Sequence, residues 1–325
     1  MLGVGALGSR AARQLASTPG VDAILVTDPS PGRADGVCAS LGPVARSADV
    51  DFDLKGNDVV VLGGPGHVQA GQAERALAAG AHVVATADDL TSVRGLMALD
   101  GMAKSRRRTL VAGASFSPGL SCLLATHGAS LFDELHEIHV ARHGTGGPTC
   151  ARAHHAALGR SAMDFRDGQW VERQGGSGRE LVWFPEPVAG QDCYRAEMSE
   201  AVLLVPRFPT LERATARQAA TRRDRLTARL PMLRQPHPEG LVGAVRVELR
   251  GLRNGTFDTL VYGAMDRPAV AAGAVAAVAA VAAADGELHL GAGGLATLVD
   301  DPLPMLADLA ARGIRGAVFA GANVL

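Results

Sequence analysis

Lysine is almost missing from this chain. Among 325 residues only Lys55 and Lys104 occur, the first ahead of a strand pattern and the second at the end of a helix pattern. That scarcity weighs against mechanisms built on a lysine acid/base. Aromatic residues are also few, at 4%. With a net charge of −1 and a pI near 6.8, the chain lacks both the basic field and the stacking side chains that hold nucleic acid. The four cysteines, Cys38, Cys122, Cys150 and Cys193, show no C-x-x-C spacing. This argues against a disulfide scaffold and the common zinc frameworks, and predicts a reduced, cytoplasmic setting. The longest apolar run, Ala269 to Ala284, falls short of the ~20 residues that span a bilayer and reads as a buried helix. Glycines and arginines occupy the place of a secretory leader's apolar core.

What the chain has in abundance is glycine, 40 residues in all, and its placement near the start is informative. Gly3-Val4-Gly5-Ala6-Leu7-Gly8 reads G-x-G-x-x-G, and twenty residues past Gly8 comes Asp28, closing the apolar run 23–27. This is the dinucleotide fingerprint with its acidic partner at the expected distance. Gly3 permits the tight turn, Gly5 the close approach of a pyrophosphate, and Gly8 the packing of helix on sheet. Ala6 and Leu7 open that helix, whose free N–H groups face the phosphates. Asp28 suits a ribose hydroxyl and hence NAD. Arg33, five residues on, suits a 2′-phosphate and hence NADP. Only Met1 and Leu2 precede Gly3, fewer than a strand of ordinary length. The first strand is therefore expected either to be a stub or to start upstream.

Downstream, strand and helix patterns alternate. Strands are expected at 23–27, 58–62, 82–87 and 109–113. Helices are expected at 9–17, 68–79 and 90–103, and 29–43 reads as loop. This alternation predicts an α/β domain over 1–124 with a doubly wound parallel sheet. The pattern then changes. Strands are expected at 135–141, 163–173, 180–184, 201–205 and 245–250. Asn254-Gly255 then turns a hairpin into 257–262. These predict an α+β second domain over 125–288 with a mostly antiparallel sheet, closed by a helix at 270–284. A final helix at 305–311 and a strand at 317–319 lie in a segment, 289–325, expected to pack back on the first domain. The arginines Arg213, Arg217, Arg222, Arg225 and Arg229 fall on helix-neighbour spacings and read as a basic solvated face.

Four stretches together resemble the saccharopine dehydrogenase-like, NAD(P)-dependent reductases. They are the N-terminal glycine run; 58–65 with the Ala-rich helix and Gly80 to Val84; Thr86 to Asp89; and Gly113 to Leu120. The resemblance covers about the first 125 residues. It implies a Rossmann domain followed by an α+β substrate domain. It also implies hydride transfer at a C–N bond of an amino-acid-derived substrate, through an imine. An alcohol or aldehyde carbon, or a non-catalytic cofactor-sensing role, are the alternatives. A homodimer formed through the antiparallel sheet is expected, with no membrane or nucleic-acid partner.

Gly63, Gly64 and Pro65 end a strand at the carboxyl edge of the parallel sheet, where ligands bind, and are expected on the nicotinamide side. Asp88 and Asp89 end the next strand on that edge. One is expected to cap the helix that begins at Leu90, the other to face a substrate ammonium or relay a proton. The segment 142–155 gathers Arg, His and Cys around glycines. Arg142 or Arg152 is expected to grip a substrate carboxylate, because a guanidinium does so in two places. His143 or His154 is expected as acid/base, because imidazole titrates near neutrality. Cys150 reads as a small loop cysteine, and no metal-ligand spacing is evident, so no metal is expected.

Overall fold

The computed structural model describes residues 1–232 and 235–319. Leu2 shows how two residues serve as a strand. Its N–H donates to Val61 O, its carbonyl accepts from Gly63 N, and Gly3 N donates to Thr27 O, each at 2.8 Å. Thr27 N donates to Met1 O at 2.9 Å. Leu2 thereby bridges Thr27 on one side and Leu62 on the other, both in parallel. The sheet then runs Ala45–Ser47, Ile24–Val26, Leu2, Val59–Leu62, His82–Ala85, Thr109–Val111, Gly291–Gly293, all parallel. Chain order reverses direction at Leu2, so the glycine run sits at the switch point where such sheets bind ligands.

Val83, Val84 and Ala85 are consecutive and buried, which requires cover on both faces of the sheet. Helices Gly66–Ala78 and Leu90–Met97 pack together. Helix Ala6–Ala16 pairs with the long helix Pro268–Ala284, which also lies on Val59–Leu62 and His82–Ala85. Gly273 sits where that pair crosses. A Cβ there would come 2.7 Å from the Ala11 nitrogen. The long helix, grouped by sequence with the second domain, is thus part of the packing of the first. Its Ala and Val residues are buried all round and carry no sign of which sheet they cover. We propose that the dinucleotide unit is discontinuous, residues 1–124 completed by the helix at 268–284 and the strand at 291–293. Residues 31–41, expected as loop, form a helix opened by Pro31 at its first turn.

The second sheet runs Arg315–Phe319, Thr256–Asp266, Gly243–Arg253, Glu134–His143, Arg213–Ala219, Gly190–Arg195, Glu180–Trp183. It is antiparallel except where Glu134–His143 meets Arg213–Ala219. The hairpin turn is as read: Asn254 and Gly255 have φ of 52° and 74°, the left-handed pair of a type I′ turn. Three expectations are corrected. Residues 201–205 belong to helix Glu200–Leu204 and the turn after it. Arg213 and Arg217 lie on a strand, where alternation rather than helical spacing decides their face. Strand Arg315–Phe319 joins the second sheet through Thr256–Asp266 rather than returning to the first, while Gly291–Gly293 does return. Residues 320–325 of the expected returning segment lie outside the described residues.

On the core face of the second sheet, Val245, Val247 and Leu249 are fully buried, and the sheet packs there against helix Leu120–Ala129. On the other face Arg246 and Arg250 flank Glu248 at 2.6 and 2.5 Å, and His139 meets Glu137 at 2.8 Å. Among the described residues, no helix is long and apolar enough to cross a membrane.

Candidate active site

The glycine run makes a groove. Helix Ala6–Ala16 starts after Gly5 with no side-chain cap and no acidic residue in its first turn, so its N-terminal donors are left for a ligand. Gly3 has φ 89°, and a Cβ there would stand 2.7 Å from Gly64 N. A Cβ on Gly8 would stand 2.0 Å from Gly3 O, and one on Gly63 2.6 Å from the same oxygen. Gly5 differs, for nothing lies within 4 Å of its Cβ position. Gly3, Gly8 and Gly63 thus pack backbone on backbone, and Gly5 presents bare chain to a groove of ≈ 1430 Å³. Ala6, Leu7, Gly64 and Pro65 line the same groove, with Asp28 and Arg33 at one end. This cradle fits the pyrophosphate and ribose of a dinucleotide.

Asp28 is 5% exposed and already well bound. It accepts from Val4 N at 3.0 Å and Ser30 N at 2.9 Å, and Arg33 pairs with it at 3.1 Å. Its first task is to hold the loop. Arg33 is the exposed partner of the two, with its side chain more than half open to solvent.

Asp89 accepts from Ser92 N at 2.9 Å and caps helix Leu90–Met97. Asp88 reaches the other way, into the second sheet's residues. Its Oδ2 accepts from Arg142 Nη1 at 2.8 Å and lies 2.6 Å from His154 Nε2. Ser199 Oγ–H donates to the Asp88 carbonyl at 2.9 Å. Arg142 comes from strand Glu134–His143. His154 comes from helix Pro148–Ala157, which starts at Pro148 after Gly147 turns with φ 130°. Burial works to raise the Asp88 carboxyl, but the His154 and Arg142 charges, with their hydrogen bonds, overcome it and hold it well below the usual carboxylate range. Burial and Arg142 work to lower His154, yet Cys150 and Asp88 prevail and push the imidazole up to about 9.

Arg142 is 4% exposed and its guanidinium is committed. Besides Asp88 it donates to Ser117 O at 3.2 Å and Gln218 Oε1 at 3.1 Å. Gln218 Nε2–H in turn donates to His154 O. Arg142 therefore holds Asp88 in place, while its buried Nε has no partner among the described residues and it borders the pocket described next. Arg152 is exposed and lines neither the groove nor the pocket beside it. Of the two arginines expected to hold a carboxylate, Arg142 faces the cluster and borders the pocket, and Arg152 lies on a different side of its helix from His154.

Beyond the cluster lies a smaller and more enclosed pocket, bordered by Phe116, Ser117, His143, Cys150, Pro268 and Ala272. Asp88, Leu7 and Cys150 line both spaces, so the cluster stands at the mouth between them. His143 is there with its Nδ1 buried and unpartnered, and burial lowers its imidazole. Cys150 Sγ lies 3.4 Å from His154 Nε2. Ser117 Oγ–H donates to Glu200 Oε1. Glu200 is wholly buried and its Oε2 has no partner. Burial pushes that carboxyl up. Sequence reasoning missed Ser117, Gln218 and Glu200. Ser117 falls inside the Gly113–Leu120 stretch noted for its glycines, so a signal was present. Gln218 meets Arg142 across 76 residues, and nothing local marks it.

The parallel sheet with its glycine groove, and the mostly antiparallel second sheet that closes a pocket against it, define a Rossmann-type α/β architecture. The chain is similar over its full length to saccharopine dehydrogenase (L-Glu forming) from Saccharomyces cerevisiae. That likeness has a TM-score of 0.73 and 16% identity, and covers 98% of this chain and 99% of that one. GenD2 from gentamicin A biosynthesis, solved in complex with NAD, has a TM-score of 0.48 and 15% identity over 98% and 95% of the two chains. A myo-inositol dehydrogenase from Corynebacterium glutamicum has 0.49 and 13% over 99% and 98%. No family model matches the chain, and no curated protein matches it in sequence.

Proposed function

We propose that this chain is an NAD(P)-dependent oxidoreductase of the saccharopine dehydrogenase-like type, moving hydride at a C–N bond of an amino-acid-derived substrate. The observation that carries the reading is the Asp88–Arg142–His154 cluster, assembled from both sheets' residues at the mouth between glycine groove and enclosed pocket. Gly3, Gly5, Ala6, Leu7 and Gly8 would hold the pyrophosphate, Asp28 and Arg33 the adenosine ribose side, and Gly63, Gly64 and Pro65 the nicotinamide side. The dinucleotide, NAD or NADP, supplies the hydride acceptor or donor. His154 donates a hydrogen bond or a proton to the heteroatom whose carbon exchanges hydride. Asp88 holds the ring in place, and Arg142 fixes Asp88. His143 orients substrate from the far wall of the pocket.

One observation favours a second reading. Arg152 lies away from the pocket, and Arg142, which lines it, is held by Asp88, Ser117 and Gln218, so a neutral alcohol or aldehyde substrate suits the lining as it stands. Assays of nicotinamide absorbance with panels of N-carboxyalkyl amino acids and of polyols separate the two. Turnover of secondary amines alone supports the first reading. Turnover of alcohols alone replaces it with the second. Cofactor binding with no turnover of either panel favours a sensing role.

The free cysteines support a reduced, cytoplasmic location. The outer strand Glu180–Trp183 exposes Leu181 and Trp183, at 60% and 59%. This supports a homodimer through the second sheet, which sedimentation would test.

A further inference from the structure

We infer that Asp88, Cys150 and His154 form a binding site for a divalent transition-metal ion, with zinc the ion best suited to the donors. Cys150 and His154 are four residues apart on helix Pro148–Ala157 and project from one face of it. Asp88 meets them from the loop before helix Leu90–Met97. The three donor atoms lie within 4.8 Å of one another. A tetrahedral zinc with sulfur and nitrogen at ordinary bond lengths sets those two atoms about 3.6 Å apart, and Cys150 Sγ is 3.4 Å from His154 Nε2. The carboxylate and imidazole stand 2.6 Å apart, a hydrogen-bonded separation. The ion takes the place of the proton between them and opens that edge by about 0.7 Å, to the spacing of a tetrahedral site.

Arg142 does not block the site. It donates to Oδ2, the oxygen that also faces His154, and a carboxylate oxygen has a second lone pair for a metal ion. A guanidinium on one oxygen is the kind of outer partner that orients a ligating carboxylate. Sulfur together with imidazole selects zinc over magnesium or calcium. Three protein ligands leave a fourth position open, as catalytic zinc sites do. Because Asp88 and Cys150 line both groove and pocket, that position opens at the mouth between them. The proton and the metal at His154 exclude each other. Either sets positive charge beside the substrate heteroatom, a role that rests on the oxidoreductase reading, whereas the ligand set does not. The spacing gave no hint of this, since the third ligand lies more than sixty residues upstream of the helix.

The test is cobalt titration of chelator-treated protein, following thiolate-to-cobalt charge transfer, in wild type, Cys150→Ser and Cys38→Ser. One equivalent is expected to bind to wild type and to Cys38→Ser with a charge-transfer band that zinc abolishes. The band is expected to vanish in Cys150→Ser, and His154→Gln to weaken cobalt binding by more than about 10-fold. No band in wild type, or a band that survives Cys150→Ser, overturns the site. NADH titration of the same samples keeps the two ideas apart. NADH binding without cobalt uptake removes the metal site and leaves the oxidoreductase reading standing, and cobalt uptake without NADH binding does the converse.

Discussion

At the scale of single residues, the two carboxyl groups near the pocket are opposites. Asp88 is an anion between two cations. Asp88→Asn leaves Arg142 and His154 facing each other without it, and breaking such a pair costs about 3 kcal/mol. Urea denaturation should show that loss, with turnover reduced by about 100-fold or more. Glu200 is buried with its carboxyl raised. The folded chain therefore keeps a proton that the unfolded chain releases. Stability is full below the unfolded-state value and falls as pH rises from there toward the raised folded value. Glu200→Gln is expected to flatten this decline and to be no less stable than wild type at neutral pH. Thermal melts followed from acid to neutral pH would show it, and an unchanged slope would count against a neutral Glu200. Neither environment is written locally. Asp88 and Asp89 are adjacent and look equivalent in sequence. Only the start of the next helix gives one of them a capping task, and only partners more than fifty residues away define the other.

At the scale of elements, the glycine run separates structural from functional glycines. A Cβ on Gly8 collides with the Gly3 carbonyl, while one on Gly5 meets nothing in the protein. Gly5→Ala is expected to leave the melting temperature within a degree or two, since such exposed changes cost under about 0.5 kcal/mol, yet to cut NADH affinity at least about tenfold. Gly8→Ala is expected to lose both stability and binding. Calorimetric titration beside a thermal melt distinguishes the pair. If Gly5→Ala bound NADH normally, the pyrophosphate would lie elsewhere. The glycine loop, the strand at 59–62 and the Asn254-Gly255 hairpin were legible because their signals are local: spacing, a continuous apolar run, a turn pair. Helix Pro31–Leu41 was not, because its three helix-breaking residues, Pro31, Gly32 and Gly36, are outweighed by docking on its neighbours.

At the scale of the molecule, the first sheet depends on residues far along the chain. Helix Pro268–Ala284 covers strands Val59–Leu62 and His82–Ala85, and Gly291–Gly293 extends the sheet beyond Thr109–Val111. A fragment of residues 1–124 lacks both. It is expected to aggregate or to show no cooperative melt, which circular dichroism would record. A fragment that folds and binds NADH alone would refute the discontinuous unit. The change of pattern read near residue 124 falls between strand Thr109–Val111 of the first sheet and strand Glu134–His143 of the second. It did not reveal the return, since an Ala-rich helix buried on every side advertises no partner.

The chain passes between the two sheets three times, after helix Leu120–Ala129, before Pro268, and again between Ile314 and Arg315. Mechanically, the two bodies are sewn together by three seams rather than one. A single tether permits swivel and twist, whereas three connections, with one hydrophobic cluster running through both sheets, restrain both. The Asp88–His154 contact lies between the two bodies, so it acts as a clasp. Whatever seats itself at the clasp, proton, metal or substrate, is held by both bodies at once.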